Sequence, residues 1–256
     1  MRYKTVVPAA RRASSDPAER RRARARLFGT AALLVTFAGV LVALVSVLEG
    51  TDNPHLKPGA PVPGAALALA PLAGVAQHGI ELGDPRAPLT LVEFCDLQSK
   101  DCAKFARGQF PRIVRRYVRT GKLLVVYRAL DLLGPDSLRA ASMALALAQQ
   151  RRLFQFASLM YEHQGEEDTE YVSEDYLRAL SEAIPGAAVT RALRARSSAA
   201  VRAQLGAAQR LGARLGVASV PTFLLYRSDH VPARLRSATL DAGSLRSSLR
   251  RLLGVP

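Results

Sequence analysis

Cysteine is nearly missing from this chain. Only Cys95 and Cys102 occur among 256 residues. Two cysteines cannot supply a disulfide framework for a domain of this size. They lie seven positions apart inside one stretch, "EFCDLQSKDCAKF" (93–105), which points to local chemistry. Histidine is scarce too. His55, His78, His163 and His230 stand apart, with no metal-ligand spacing among themselves or with the cysteines. The sequence has no G-x-S-x-G elbow, no phosphate-binding P-loop and no G-x-G-x-x-G. Those absences argue against a serine hydrolase of that type, a P-loop nucleotidase and a dinucleotide-binding enzyme. No internal repeat is visible. Acid is short against base: 21 Asp and Glu face 36 Lys and Arg, a formal net charge of +15.

The excess of base is unevenly placed. Residues 1–26 carry nine Lys or Arg against Asp16 and Glu19, a net of +7. This tail precedes "LFGTAALLVTFAGVLVALVSVL", Leu27–Leu48, which holds no charge. About 20 apolar residues cross the ~30 Å hydrocarbon core of a bilayer. The run is longer than the ~7–15 residues of a signal-peptide core, and no small-x-small cleavage site follows it. Arginines before the span, with Glu49 and Asp52 after it, set the N-terminus in the cytoplasm by the positive-inside rule. The tail is then a topogenic signal and not a nucleic-acid arm, and the rest of the chain lies outside the membrane. Residues 49–77, rich in Pro, Gly and Ala, read as a tether. The folded domain is expected over 78–256.

Within that domain the periodicity alternates. "LTLVEFC" (89–95) is a continuous apolar run of the kind a fully buried strand shows. In the helical segment after it, Phe105, Phe110, Ile113, Val114 and Tyr117 can share one face. Pro111 should kink or divide this helix, and Gly121 should stop it. "KLLVVYRAL" (122–130) is a second apolar strand, so the order strand–helix–strand predicts a parallel βαβ unit. Helical patterns follow over 137–150, 153–164, 172–184 and 188–216, with Ser173 as an N-cap. "VPTFLLYR" (220–227) reads as a strand and 231–237 as its hairpin partner. Asp241 can cap a last helix with Leu245, Leu249 and Leu252 as its apolar stripe. The acidic run Glu166-Glu167-Asp168 reads as a solvated loop.

Several of these stretches together resemble the DsbA-like branch of the thioredoxin superfamily. "LGDPRAPLTLVEFCDLQSKDCAKF" is similar to that family's first strand and active-site corner. "TGKLLVVYRAL" resembles its second strand, "LGVASVPTFLLY" its cis-proline loop, and "LFQFASLMYEHQG" part of its inserted helical domain. The resemblance implies an α/β thioredoxin-like fold, βαβ followed by ββα. The helical insertion falls over about 135–215, and one transmembrane helix precedes the domain. It also implies thiol–disulfide oxidoreductase chemistry on extracytoplasmic proteins or peptides, with no cofactor. The membrane lipid around Leu27–Leu48 is the other expected partner.

The departures bear on that chemistry. The family corner reads Phe-x-Asp-Phe-x-Cys-Pro-x-Cys. Here Phe94, Asp96 and Cys102 fit, but Ser99 stands at the first cysteine and Lys100 at the proline. The resemblance makes that first cysteine the nucleophile, its thiolate stabilised by a helix N-terminus. Serine gives no thiolate and no disulfide, though Ser99 makes a good N-cap. Cys102 then has two readings: an inert buried residue, or a thiol in the first helical turn, its thiolate favoured by Lys100 and opposed by Asp101. Cys95, at the strand end, is either a core residue or a disulfide partner of Cys102. The resemblance makes Val220-Pro221 a cis peptide bond. It also has the backbone around Val220, Pro221 and Thr222 pair with an extended substrate. Candidate site residues are therefore Cys102, Cys95 and Ser99 for redox chemistry and Val220, Pro221 and Thr222 for binding. Two other functions stay open: a redox-inactive peptide-binding module, and a structural partner in a membrane complex.

Overall fold

The computed structural model describes residues 53–229, 239–240 and 242–253. The basic tail, the apolar segment Leu27–Leu48, the expected hairpin strand 231–237 and the cap at Asp241 lie outside these residues. Among the described residues no helix is long and apolar enough to cross a membrane.

A six-stranded mixed sheet organises the domain. Its strands are β1 (Gln77–His78), β2 (Glu81–Leu82), β3 (Leu89–Asp96), β4 (Leu123–Leu130), β5 (Thr222–Arg227) and β6 (Thr239–Leu240). Their order across the sheet is β1-β2-β4-β3-β5-β6. β3 and β4 pair in parallel, as a βαβ unit requires, and β5 runs antiparallel to β3. β3 and β4 are central strands covered on both faces, which is why their sequences are apolar without alternation.

Helices cover both faces. They are α1 (Ala65–Leu69), α2 (Lys100–Gly108), α3 (Phe110–Ile113), α4 (Pro135–Ala148), α5 (Leu153–Glu162), α6 (Glu174–Glu182), α7 (Val189–Ala195), α8 (Ala199–Leu215) and α9 (Ala242–Leu253). The β3 face bearing Leu89, Leu91 and Cys95 joins a large core with α2 to α6 and with Leu245 and Leu249 of α9. The opposite face, bearing Val92 and Phe94, packs on Ala208 and Leu215 of α8.

Local chemistry accounts for the helix ends. α2 stops at Gly108, and α3 starts afresh with Pro111 in its first turn, where a missing N–H costs nothing. Ser173 caps α6 by accepting the Tyr176 N–H. The expected helix over 188–216 is two helices. Ser198 breaks it by capping α8 through the Val201 N–H.

Two other details differ from the sequence reading. The stretch read as a tether contains α1, and Val62 and Leu72 enter the core. Ordered structure therefore begins before His78. In α9, Leu252 is 36% exposed, so the buried stripe is Leu245 and Leu249.

Candidate functional site

β3 ends at Asp96, and α2 begins four residues later. The corner between them is built by Asp96. Its Oδ1 accepts the Gln98 N–H at 2.8 Å and the Ser137 hydroxyl at 2.7 Å. Its Oδ2 accepts the Leu132 and Leu133 N–H groups at 2.6 and 3.1 Å. One carboxylate thus ties the corner to the loop after β4 and to the start of α4. Burial raises the Asp96 pKa, and these four donors act against the rise.

Ser99 is the N-cap of α2, its Oγ accepting the Cys102 N–H at 3.3 Å. The hydroxyl satisfies one of the free amides of the first turn. Ser99 is only 6% exposed. The segment after α5 closes over it. Gln164 donates to the carbonyls of Leu97 and Ser99 at 2.8 and 3.1 Å. Lys100 donates to the Gly165 carbonyl at 2.7 Å, with Glu166 3.8 Å away. Lys100 is thus engaged by the 164–166 loop. Gly134, at φ +83, lets that loop sit close: a Cβ there would strike the Asp168 carboxylate.

The two cysteines are joined. Cys95 at the end of β3 and Cys102 in the first turn of α2 form a disulfide, with Cα atoms 5.9 Å apart. Both are 0% exposed, so no sulfur reaches solvent. In the chain-entropy account, closing so short a loop stabilises the fold by roughly 2–3 kcal/mol. The pairing staples the sheet to the helix that leaves it.

Beneath the corner, on the same face of β3 as Cys95, sits Glu93. It stands 3% exposed in a small space walled by Phe110, Tyr127, Phe154 and Tyr161. Burial pushes its carboxyl up to about 8. Beside it the Tyr127 and Tyr161 hydroxyls share a hydrogen bond of 2.9 Å. Both phenols are pushed well above their ordinary pKa, mainly by burial and further by the Glu93 carboxylate. Sequence reasoning did not single out Glu93. Its signal was present: one acid inside the apolar run "LTLVEFC".

The structure brings the second group of candidate residues to the same end of the sheet. Thr222 pairs with Phe94 across β5 and β3, which sets Val220 and Pro221 beside the end of β3. The Val220-Pro221 peptide is cis. Val220 packs on both core layers, and the loop is braced by the Thr222 hydroxyl donating to the Ser219 carbonyl at 2.6 Å. Ser219 is exposed, and Val220, Pro221 and Thr222 are half-buried. This loop is more accessible than Ser99 and the disulfide. Among the described residues, no group of three or more His, Cys, Asp or Glu could hold a metal ion.

Comparison with known proteins follows the same outline. A family model described as Thioredoxin matches residues 76–233. No curated protein matches the sequence. Among solved structures, oxidised BdbD from Bacillus subtilis is similar with a TM-score of 0.57 at 20% identity, over 69% of this chain and 93% of that one. For α-DsbA1 of Wolbachia pipientis the values are 0.53 and 21%, over 72% and 92%. For Chlamydia trachomatis DsbA they are 0.52 and 17%, over 70% and 93%. At such identities the likeness speaks to the fold alone. The family model spans more than half of the chain, so this protein belongs to the thioredoxin family, on a fold similar to DsbA.

Proposed function

We propose that this chain is a DsbA-like member of the thioredoxin family that binds extended polypeptide outside the membrane. Its altered corner exchanges disulfides weakly or not at all. One observation carries this reading: the two sulfurs are bonded to each other and fully buried, while the helix N-terminus holds a serine. Disulfide exchange needs a thiolate with access to its target. Peptide pairing needs only backbone, and the half-buried Val220–Thr222 segment supplies that beside the corner. The purified chain should bind an extended thiol-free peptide, with backbone NMR shifts centred on Ser219–Thr222. A peptide methylated at alternate backbone nitrogens should bind at least about tenfold more weakly, because each lost hydrogen bond removes ~1 kcal/mol and methyl groups clash. Equal binding of both peptides sinks the reading.

The reading includes a single span at Leu27–Leu48 with the domain outside the cytoplasm, supported by the charge asymmetry around that segment. Protease added to intact spheroplasts should digest the domain. Protection until the inner membrane is lysed would reverse the orientation.

A second reading rests on a different observation. The disulfide lies directly behind the corner, with an acid of raised pKa on the same face of β3. In that reading Cys95 and Cys102 are a displaced redox pair, reached when the 164–166 loop opens.

A further inference from the structure

The segment read as a tether helps build a cavity far along the chain from the corner. Residues 69–78, the turn between α4 and α5 with Gln155 of α5, and the start of the α6–α7 connection line about 610 Å³. Small-ligand pockets run to ~300–1,000 Å³. The walls divide by chemistry. Leu69, Leu72, Val75 and Ile184 give an apolar side; Arg151, Arg152 and His78 give a basic one, and among the described residues no Asp or Glu lines the space.

The donors are unequally engaged. Arg152 is held by backbone carbonyls, donating to Pro185 and Arg151 at 3.1 Å each. At the floor, Gln77 donates to Gln155 Oε1 at 2.8 Å and accepts the Phe154 N–H at 3.3 Å. That fixes the Gln155 amide and leaves its Nε2 without an acceptor among the described residues. Arg151 is exposed, and its guanidinium also has no partner among them. Its backbone is unusual: φ is +61, just after the C-terminus of α4. Glycine is the usual residue at such a helix end, because a Cβ is disfavoured there. A long cation therefore stands where the backbone favours glycine, and it lines the cavity.

We infer that this cavity binds a carboxylate carried on an apolar body. Arg151, with the Gln155 amide and the His78 ring N–H, meets the carboxylate, and Leu69, Leu72, Val75 and Ile184 meet the body. A guanidinium fork suits a carboxylate. The apolar half of the wall argues against a bare inorganic anion. The carboxylate can belong to a free amphiphile or to the C-terminus of an apolar peptide.

The test uses the full chain in nanodiscs, with empty nanodiscs as reference, read by calorimetry. The probes are 4-phenylbutyrate and 4-phenylbutylammonium, and the tetrapeptide acetyl-Ala-Leu-Leu-Val as free acid and as amide. At least one carboxylate should bind saturably at one site, and its cationic or amidated counterpart should not. Binding of phenylbutyrate assigns a free amphiphile; binding of the peptide acid alone assigns a C-terminus. Arg151→Gln should weaken binding by about tenfold or more, with melting unchanged. Arg151→Gly separates binding from folding. It should raise the melting temperature, since glycine suits this backbone, while losing the ligand. The inference is overturned if neither carboxylate saturates, if opposite charges bind alike, or if Arg151→Gly binds as well as the parent.

Discussion

Replacing Ser99 with cysteine and Cys95 with alanine together should raise this chain's rate of disulfide exchange by orders of magnitude. The corner already provides most of what a reactive thiol needs. Position 99 is the N-cap of α2, with free first-turn amides and the positive end of the helix dipole beside it. A serine there cannot ionise at neutral pH, whereas a thiol would be driven toward thiolate. The Cys95 substitution matters equally, because Cys102 is otherwise held in its bond to Cys95. Freed, Cys102 stands three residues from the new thiol and can resolve a mixed disulfide. The rate of thiol–disulfide exchange with a reduced unfolded protein should rise by orders of magnitude, and thiolate absorbance should titrate below the ordinary thiol range. Ser99→Cys alone should gain less, since three sulfurs then compete. Cys95→Ala alone should gain nothing, since Cys102 stays buried. Closure by Gln164 and Lys100 keeps position 99 shielded, so adding Gln164→Ala should raise the rate further. A folded double variant with no exchange, with or without Gln164→Ala, would mean the corner lacks the shape of a working site. A parent chain that exchanges at the rate of a dithiol relative, and loses it on Cys95→Ala, would establish the displaced pair instead.

How much of this was legible in the sequence depends on the range of each interaction. β3, β4 and β5 could be read because continuous apolar runs are what centrally buried strands require. The two caps at Ser99 and Ser173 are local hydrogen bonds, set by residues three apart. β1 and β2, at two residues each, are too short for any period to show. The Pro-, Gly- and Ala-rich stretch before them suggested a tether, yet Val62 and Leu72 are buried in the core and Leu56, Ala65, Ala68, Leu69 and Val75 pack against it. At the site, Ser99 declared its cap role, but its closure did not. Gln164 and Gly165 reach the corner from 65 residues away, and nothing local announces such a contact. The cysteine spacing left both a Cys95–Cys102 disulfide and two unpaired cysteines open. Only the fold-back of α2 over β3 brings the pair together.

Exchanging Glu93 for glutamine should stabilise the chain above pH 8 and leave it nearly unchanged at pH 4. The cause is burial. Glu93 is 3% exposed, and its carboxyl is pushed from an ordinary 4.5 up to about 8. Below pH 4.5 both folded and unfolded chains keep the proton. Between pH 4.5 and about 8 the unfolded chain releases it while the folded chain retains it. The unfolded state then binds fewer protons, so stability falls as pH rises through this window and levels off above it. At ~1.4 kcal/mol per pH unit, the window is worth roughly 4–5 kcal/mol. Glutamine is close in shape to the protonated acid and cannot ionise, so it should lose this slope. Urea unfolding of parent and variant at pH 4, 6, 8 and 9 measures it directly. The difference between them should grow from near zero to several kcal/mol, with unchanged denaturant dependence. A difference that stays constant across pH would show that Glu93 ionises at an ordinary pKa in the folded chain, and that the acid on the Cys95 face of β3 is charged rather than neutral.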